Sequence, residues 1–195
     1  MADEPWLWLL AGPNGPGKST CSGFLVNFAG QIGEIVNPDE IARRLRPDAP
    51  GKAAIQAGRL ARRRMEELLI ARRSFAVETT LAGQLHLRDV NRAKSESWQV
   101  GIVYVGLKSP NLALERVRQR TLAGGQNVPE TDIRRRYDRS LVNLARIGQI
   151  AAALFVFDNS SKNLKMVVVA NRGEVVFRSP TIPAWVKRGL GAIIN

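Results

Sequence analysis

The sequence is short of cysteine, histidine and acid. A single cysteine, Cys21, in 195 residues excludes an intramolecular disulfide framework and fits a reducing cytoplasm. A single histidine, His86, makes a histidine-rich metal site untenable; on a helix, a lone histidine reads as a surface residue. Uninterrupted apolar runs never approach the 18 residues of a membrane span, so no membrane partner is expected. Asp3 and Glu4 near the start, with no basic leader, argue against a signal peptide and for a cytoplasmic protein. Acidic residues number 17 against 29 Lys and Arg, a formal net charge of +12 that calls for polyanionic partners: nucleic acid, an anionic membrane or phosphorylated small molecules. Aromatics at the spacing of known RNA-binding modules are missing, so nucleic acid is not favoured. The hydrophobic share of 45% is ordinary for a globular chain long enough to bury one substantial core.

What is present centres on Gly12-Pro13-Asn14-Gly15-Pro16-Gly17-Lys18-Ser19-Thr20, a full match to the phosphate-binding pattern G-x-x-x-x-G-K-[ST]. Trp6 to Ala11 before it has the length and apolarity of a buried strand, and Thr20 to Phe28 after it continues as a helix. Glycines let backbone N–H groups turn inward around phosphate oxygens, and the helix start adds positive partial charge. Lys18 can then reach the β- and γ-phosphates of a nucleoside triphosphate, and the Ser19 hydroxyl can ligate Mg²⁺. Proline at position 16 removes one N–H from that loop.

Further strands are expected at Gly33–Asn37, Ser74–Thr80, Trp98–Leu107 and Leu154–Phe157, with a hairpin around Asn171-Arg172-Gly173. Helices are expected at Pro38–Leu45, Ala53–Arg73, Leu85–Ser97, Leu112–Leu122 and Glu130–Ile150, with a short one around Pro183–Lys187. Strands alternating with helices define an α/β P-loop fold with a mainly parallel sheet. We read residues 1–195 as one domain, with a helical lid at about 110–150 and a C-terminal hairpin and short helix at about 164–195. Asp39 follows a strand and opens a helix, at the sheet end where parallel folds place their active crevice. Glu78 closes an otherwise apolar strand, a position that folding alone explains poorly. Arginines gather in clusters. Those at 59–64 read as a solvated face, whereas those at 116–120 and 134–136 flank a glycine break and read as a hinged lid that offsets phosphoryl charge.

Several of these blocks together resemble the zeta toxin family of P-loop kinases: the P-loop, Asn37-Pro38-Asp39, Phe75 through Thr80, Glu115 through Arg120, Gly124 through Pro129, Arg134 through Tyr137, and Asp158-Asn159-Ser160. The resemblance spans roughly residues 6 to 177. It implies an ATP-dependent kinase acting on the amino-sugar 3′-hydroxyl of UDP-N-acetylglucosamine, with toxic consequence and a separate antitoxin chain as partner. Asp39 would be the general base, and Asn37, Glu78, Thr79 and Thr80 would form the sugar-nucleotide site. Lys18 and Ser19 would hold ATP and Mg²⁺. Arg116 or Arg120, with Arg134 or Arg135, would stabilise the migrating phosphoryl. Other nucleotide-sugars, an antibiotic hydroxyl or a polynucleotide end are alternative acceptors, and a binding module with little turnover is the reading outside the kinases.

Overall fold

The computed structural model describes residues 4–18, 32–125 and 127–194. The predicted P-loop helix, with Ser19, Thr20 and Cys21, lies outside these residues, as does Gln126.

A seven-stranded sheet organises the chain, in the order β2-β3-β1-β4-β5-β6-β7. Its strands are β1 (Trp6–Ala11), β2 (Glu34–Val36), β3 (Phe75–Thr79), β4 (Gln99–Gly106), β5 (Ala153–Asp158), β6 (Lys165–Asn171) and β7 (Glu174–Arg178). The first five pair in parallel, and β6 and β7 add an antiparallel hairpin at the edge. The described helices are α1 (Pro38–Leu45), α2 (Ala54–Ile70), α3 (Leu85–Ser95), α4 (Pro110–Leu122), α5 (Glu130–Gly148) and α6 (Ala184–Ile194), with a 3₁₀ turn at Pro50–Ala53.

Alternation in β1 shows why this sequence lies flat between two layers. Leu7, Leu9 and Ala11 join a core shared with α2 to α6, while Trp8 and Leu10 join the core of the opposite face. Trp8 covers Gly101 on β4 so closely that an added Cβ would lie 2.3 Å from its ring. The central parallel strands β1, β3 and β4 are buried on both faces, as sheets covered from both sides require.

Element boundaries differ from expectation where capping chemistry decides them. Ser109 accepts from the Leu112 amide and Pro110 takes the first helical position, so α4 begins two residues before the expected Leu112. Pro50 forces a 3₁₀ turn ahead of α2, and Arg72, at φ 49°, ends the helical path that was expected to reach Arg73. The C-terminal helix is longer than expected, running to Ile194 with Trp185, Val186 and Leu190 buried.

The roots of α4 and α5 are set in the core. Tyr137 donates to the Leu107 carbonyl at 2.7 Å, and the buried Tyr104 and Ser140 hydroxyls bond at 2.8 Å. The arginine-bearing ends project beyond these anchors, on either side of Gly124 and Gly125. Gly124 stands at φ 85°, a conformation that glycine adopts without strain. The cluster at 59–64 is more than a solvated face: Arg62 pairs with Asp89 on α3, and Arg64 binds Glu34 on β2.

Candidate active site

β1 lies between β3 and β4, and the loops leaving neighbouring parallel strands on opposite sides open a crevice at their carboxyl ends. The loop from Gly12 to Lys18 fills that position. Gly12 has φ 149°, and a Cβ there would stand 2.1 Å from the Val105 carbonyl oxygen, so only glycine lets the loop leave β1 past β4. Gly15 and Gly17 also have positive φ, 82° and 81°. Asn159, just after β5, donates to the Pro16 carbonyl at 2.8 Å, and its own backbone N–H reaches Gly106. The Asp158-Asn159-Ser160 segment therefore braces the loop from below.

Lys18 Nζ donates to the carbonyls of Gly12 at 2.9 Å and Pro13 at 3.1 Å. Burial lowers its pKa; the carboxylates of Glu78 and Asp39 push it back up, and Arg120 pulls it down further. Both carboxylates and this arginine thus act electrostatically on the P-loop lysine.

Asn37 assembles the acidic side of the site. Its Oδ1 accepts from the amides of Asp39 at 2.9 Å and Glu40 at 3.2 Å, capping α1, while its Nδ2 donates to Glu78 Oε2 at 2.7 Å. A single buried side chain therefore fixes the helix that carries Asp39 and also holds the carboxylate of Glu78. Thr79 is turned to structural use: its hydroxyl accepts from the Leu81 amide at 2.9 Å.

A cavity of about 1310 Å³ joins these parts. Asn14, Gly15, Gly17, Lys18, Asn37, Asp39, Glu78, Thr79, Thr80, Arg116, Arg120 and Arg135 all line it. Gly12 and Pro13 are buried behind the loop and shape it instead. Arg134 points elsewhere, paired with Glu130 and bonded to Asn111, so of the two candidates at 134 and 135 only Arg135 faces the cavity. Arg135 is itself held by Asp132 at 2.7 Å.

Arg136, in the expected lid cluster, also faces the cavity from α5. Other cavity residues escaped the sequence: Arg139 faces it from α5, and Arg43 and Lys52 face it from α1 and the 3₁₀ turn. The spacing of Arg135 and Arg139, four apart on a helix, was the available signal. His86 is not the surface residue expected of a lone histidine; it is partly buried and lines the same cavity. Among the described residues, no group of three or more His, Cys, Asp or Glu could hold a metal ion. A Mg²⁺ that arrives with nucleotide needs no such cage, since it takes most ligands from phosphate and water. Nor, among the described residues, is any helix long and apolar enough to cross a membrane.

A glycine loop between β1 and a lysine, at the crevice of a 2-3-1-4-5 parallel sheet, defines an α/β P-loop fold of the kinase-like kind. The chain belongs to the AAA domain family, whose model matches residues 7–140. It is 32% identical over 126 residues to an uncharacterised protein of Haemophilus influenzae, a match covering 65% of this chain and 88% of that protein. In fold it is similar to a chain of the AvrRxo1-ORF1:-ORF2 complex with ATP, with a TM-score of 0.67 at 18% identity over 89% of this chain. The chain spans 60% of the length of that relative. It is also similar to a chain of the PezAT chromosomal toxin–antitoxin system of Streptococcus pneumoniae, with a TM-score of 0.63 at 17% identity, covering 86% of this chain and 72% of that one.

Proposed function

We propose that this chain is an ATP-dependent phosphotransferase of the zeta-toxin kind, which moves the γ-phosphoryl of ATP to a hydroxyl of a small anionic acceptor. UDP-N-acetylglucosamine, through its amino-sugar 3′-hydroxyl, is the acceptor we infer. The observation that carries this reading is the convergence on one cavity of the P-loop lysine, two carboxylates from neighbouring strand ends, and arginines from two helices.

The chemistry follows from these groups. Asp39 takes the proton of the acceptor hydroxyl as its oxygen attacks the γ-phosphorus; the bond from that phosphorus to the β–γ bridging oxygen breaks, and ADP leaves with the electron pair. Lys18, Arg116, Arg120 and Arg135 offset charge on the transferring group, where preorganised cations act most strongly. Ser19 would help hold a Mg²⁺ brought by the nucleotide, and that ion would supply further neutralisation. Glu78, held by Asn37, accepts hydrogen bonds from the acceptor, with Thr80 beside it. The excess of positive charge in the cavity suits two polyanionic ligands at once. The likeness to a structure that holds ATP, and to a toxin–antitoxin system, supports the nucleotide and a separate antitoxin chain as partners.

Incubation with ATP, Mg²⁺ and UDP-N-acetylglucosamine, followed by mass spectrometry of the sugar nucleotide, tests this reading. One added phosphoryl is expected, lost in Lys18→Ala and in Asp39→Ala, the latter with ATP binding retained. Wild-type transfer by Asp39→Ala would remove the general-base role. Phosphorylation of another nucleotide-sugar or of a polynucleotide end instead would redirect the substrate.

A further inference from the structure

The loop that leaves β3 is held in an unusual way. Leu81 is fully buried at φ 58°, a left-handed conformation costly for a branched side chain. Two hydrogen bonds impose it: its amide donates to Thr79 Oγ1 at 2.9 Å, and its carbonyl accepts from the buried Asn143 Nδ2 at 2.8 Å. This fixed turn carries the chain from Glu78 into the first turn of α3, where His86 sits.

His86 is the only histidine, lines the cavity, and has two ring nitrogens in different surroundings. Nδ1 is sealed from solvent with no hydrogen-bond partner and lies 4.0 Å from Asp89 Oδ2. Asp89 is 3% exposed, one helical turn on, and is paired in turn with Arg62 of α2. A carboxylate facing Nδ1 favours the tautomer with the proton on that atom, since a lone pair there would meet negative charge. Nε2 is then left as an acceptor. Burial lowers the His86 pKa more than Asp89 raises it, and Arg62 adds to the lowering, so the ring is neutral at neutral pH.

We propose that His86 selects the acceptor: with Nδ1–H turned to Asp89, it offers the Nε2 lone pair to a hydroxyl or N–H donor on the acceptor. The inference rests on the phosphotransferase reading and assigns a specificity residue within it. Sheet order supports the acceptor side, because β3 and β2, which also deliver Glu78 and Asp39, lie on the side of β1 opposite β4. Asp89 is a positioning residue that sets the tautomer, and Arg62 pairs with it from α2.

The test is steady-state kinetics with UDP-N-acetylglucosamine as probe, on the wild type, His86→Phe and His86→Gln. Loss of one neutral hydrogen bond in His86→Phe should raise KM for the sugar nucleotide roughly 5- to 10-fold and leave KM for ATP within about 2-fold. Glutamine, which restores an acceptor oxygen near the Nε2 position, should recover most of the loss. An unchanged acceptor KM in His86→Phe, or an equal rise for ATP, overturns the assignment while leaving the kinase reading intact. No transfer by the wild type overturns the substrate reading and this inference with it. Should His86→Phe fail to fold, long-range ¹⁵N–¹H NMR of the wild type decides: the single histidine should show the Nδ1–H tautomer, and the Nε2–H tautomer overturns the proposal.

Discussion

At the scale of the residue, the most informative side chain is Asn37, because its two ends do different work that substitution separates. Serine caps a helix about as well as asparagine but is too short to reach Glu78. We expect Asn37→Ser to keep thermal stability near that of wild type, and Asn37→Ala to lose about 1 kcal/mol from the cap. Both should raise KM for the acceptor, because the 2.7 Å donor to Glu78 is gone in each. Thermal melts beside kinetics check this, and an acceptor KM unchanged in both variants would reduce Asn37 to a cap. His86 supports a second prediction at this scale. Its folded-state pKa lies below the ordinary 6.5, so the unfolded chain binds its proton first as pH falls. Stability is therefore full above pH 6.5 and is lost as the pH drops from there through the lowered value. His86→Phe should flatten that part of a plot of Tm against pH, and the difference between the two curves isolates this one group. Asn37, Asp39 and Glu78 stood out in the sequence because each is polar at the end of an apolar run. His86 did not, because nothing in its local pattern reports that Asp89 and the loop after β3 enclose it.

At the scale of the element, α4 and α5 illustrate what helical periodicity delivers and what it leaves open. The pattern of Ile133, Tyr137, Leu141 and Leu144 places the buried side of α5, and each of these residues is in the core. It leaves open which arginine at the helix start turns inward, because neighbouring residues lie about 100° apart and either can border the buried stripe. Tertiary contacts decide: Arg134 is drawn to Glu130 and Asn111, while Arg135 faces the cavity. Arg135→Ala should accordingly lower kcat by about 10-fold or more with little change in KM for ATP, as for a group that acts on developing charge. Arg134→Ala should leave kcat within about 3-fold and cost only the small energy of an exposed pair. Equal losses in the two variants would contradict the different directions these side chains take. Asp132, which holds Arg135 at 2.7 Å, belongs to the same device, because it restrains the cation that the proposed mechanism brings to phosphate.

At the scale of the molecule, the family match ends at residue 140, yet the sheet continues through β5, β6 and β7 and the core closes only with α6. The strands of this region were legible as runs such as Leu154–Phe157, and the hairpin as Asn171-Arg172-Gly173. The helix after them was read too short, because Gly189 and Gly191 interrupt its pattern; α6 continues past them by packing on α5. Trp185 is what ties this last element to the site. Its ring lies over Gly106 on central β4, where an added Cβ would be 2.3 Å away, and its indole donates to Asp158 Oδ1 at 2.9 Å. Asp158 also receives the Ser160 hydroxyl, and Asn159 between them braces the P-loop at Pro16. A ring buried to this extent is worth about 3–5 kcal/mol against alanine, and its loss also removes one of the two donors to the half-buried Asp158 Oδ1. Trp185→Ala should therefore move the urea midpoint sharply down. Trp185→Phe, which keeps most of the ring and loses the donor, should fall between. If the P-loop depends on this chain of contacts, ATP affinity at low urea should fall with stability in the order wild type, Phe, Ala. A midpoint unchanged in Trp185→Ala would mean that α6 is an ornament on a core already closed without it.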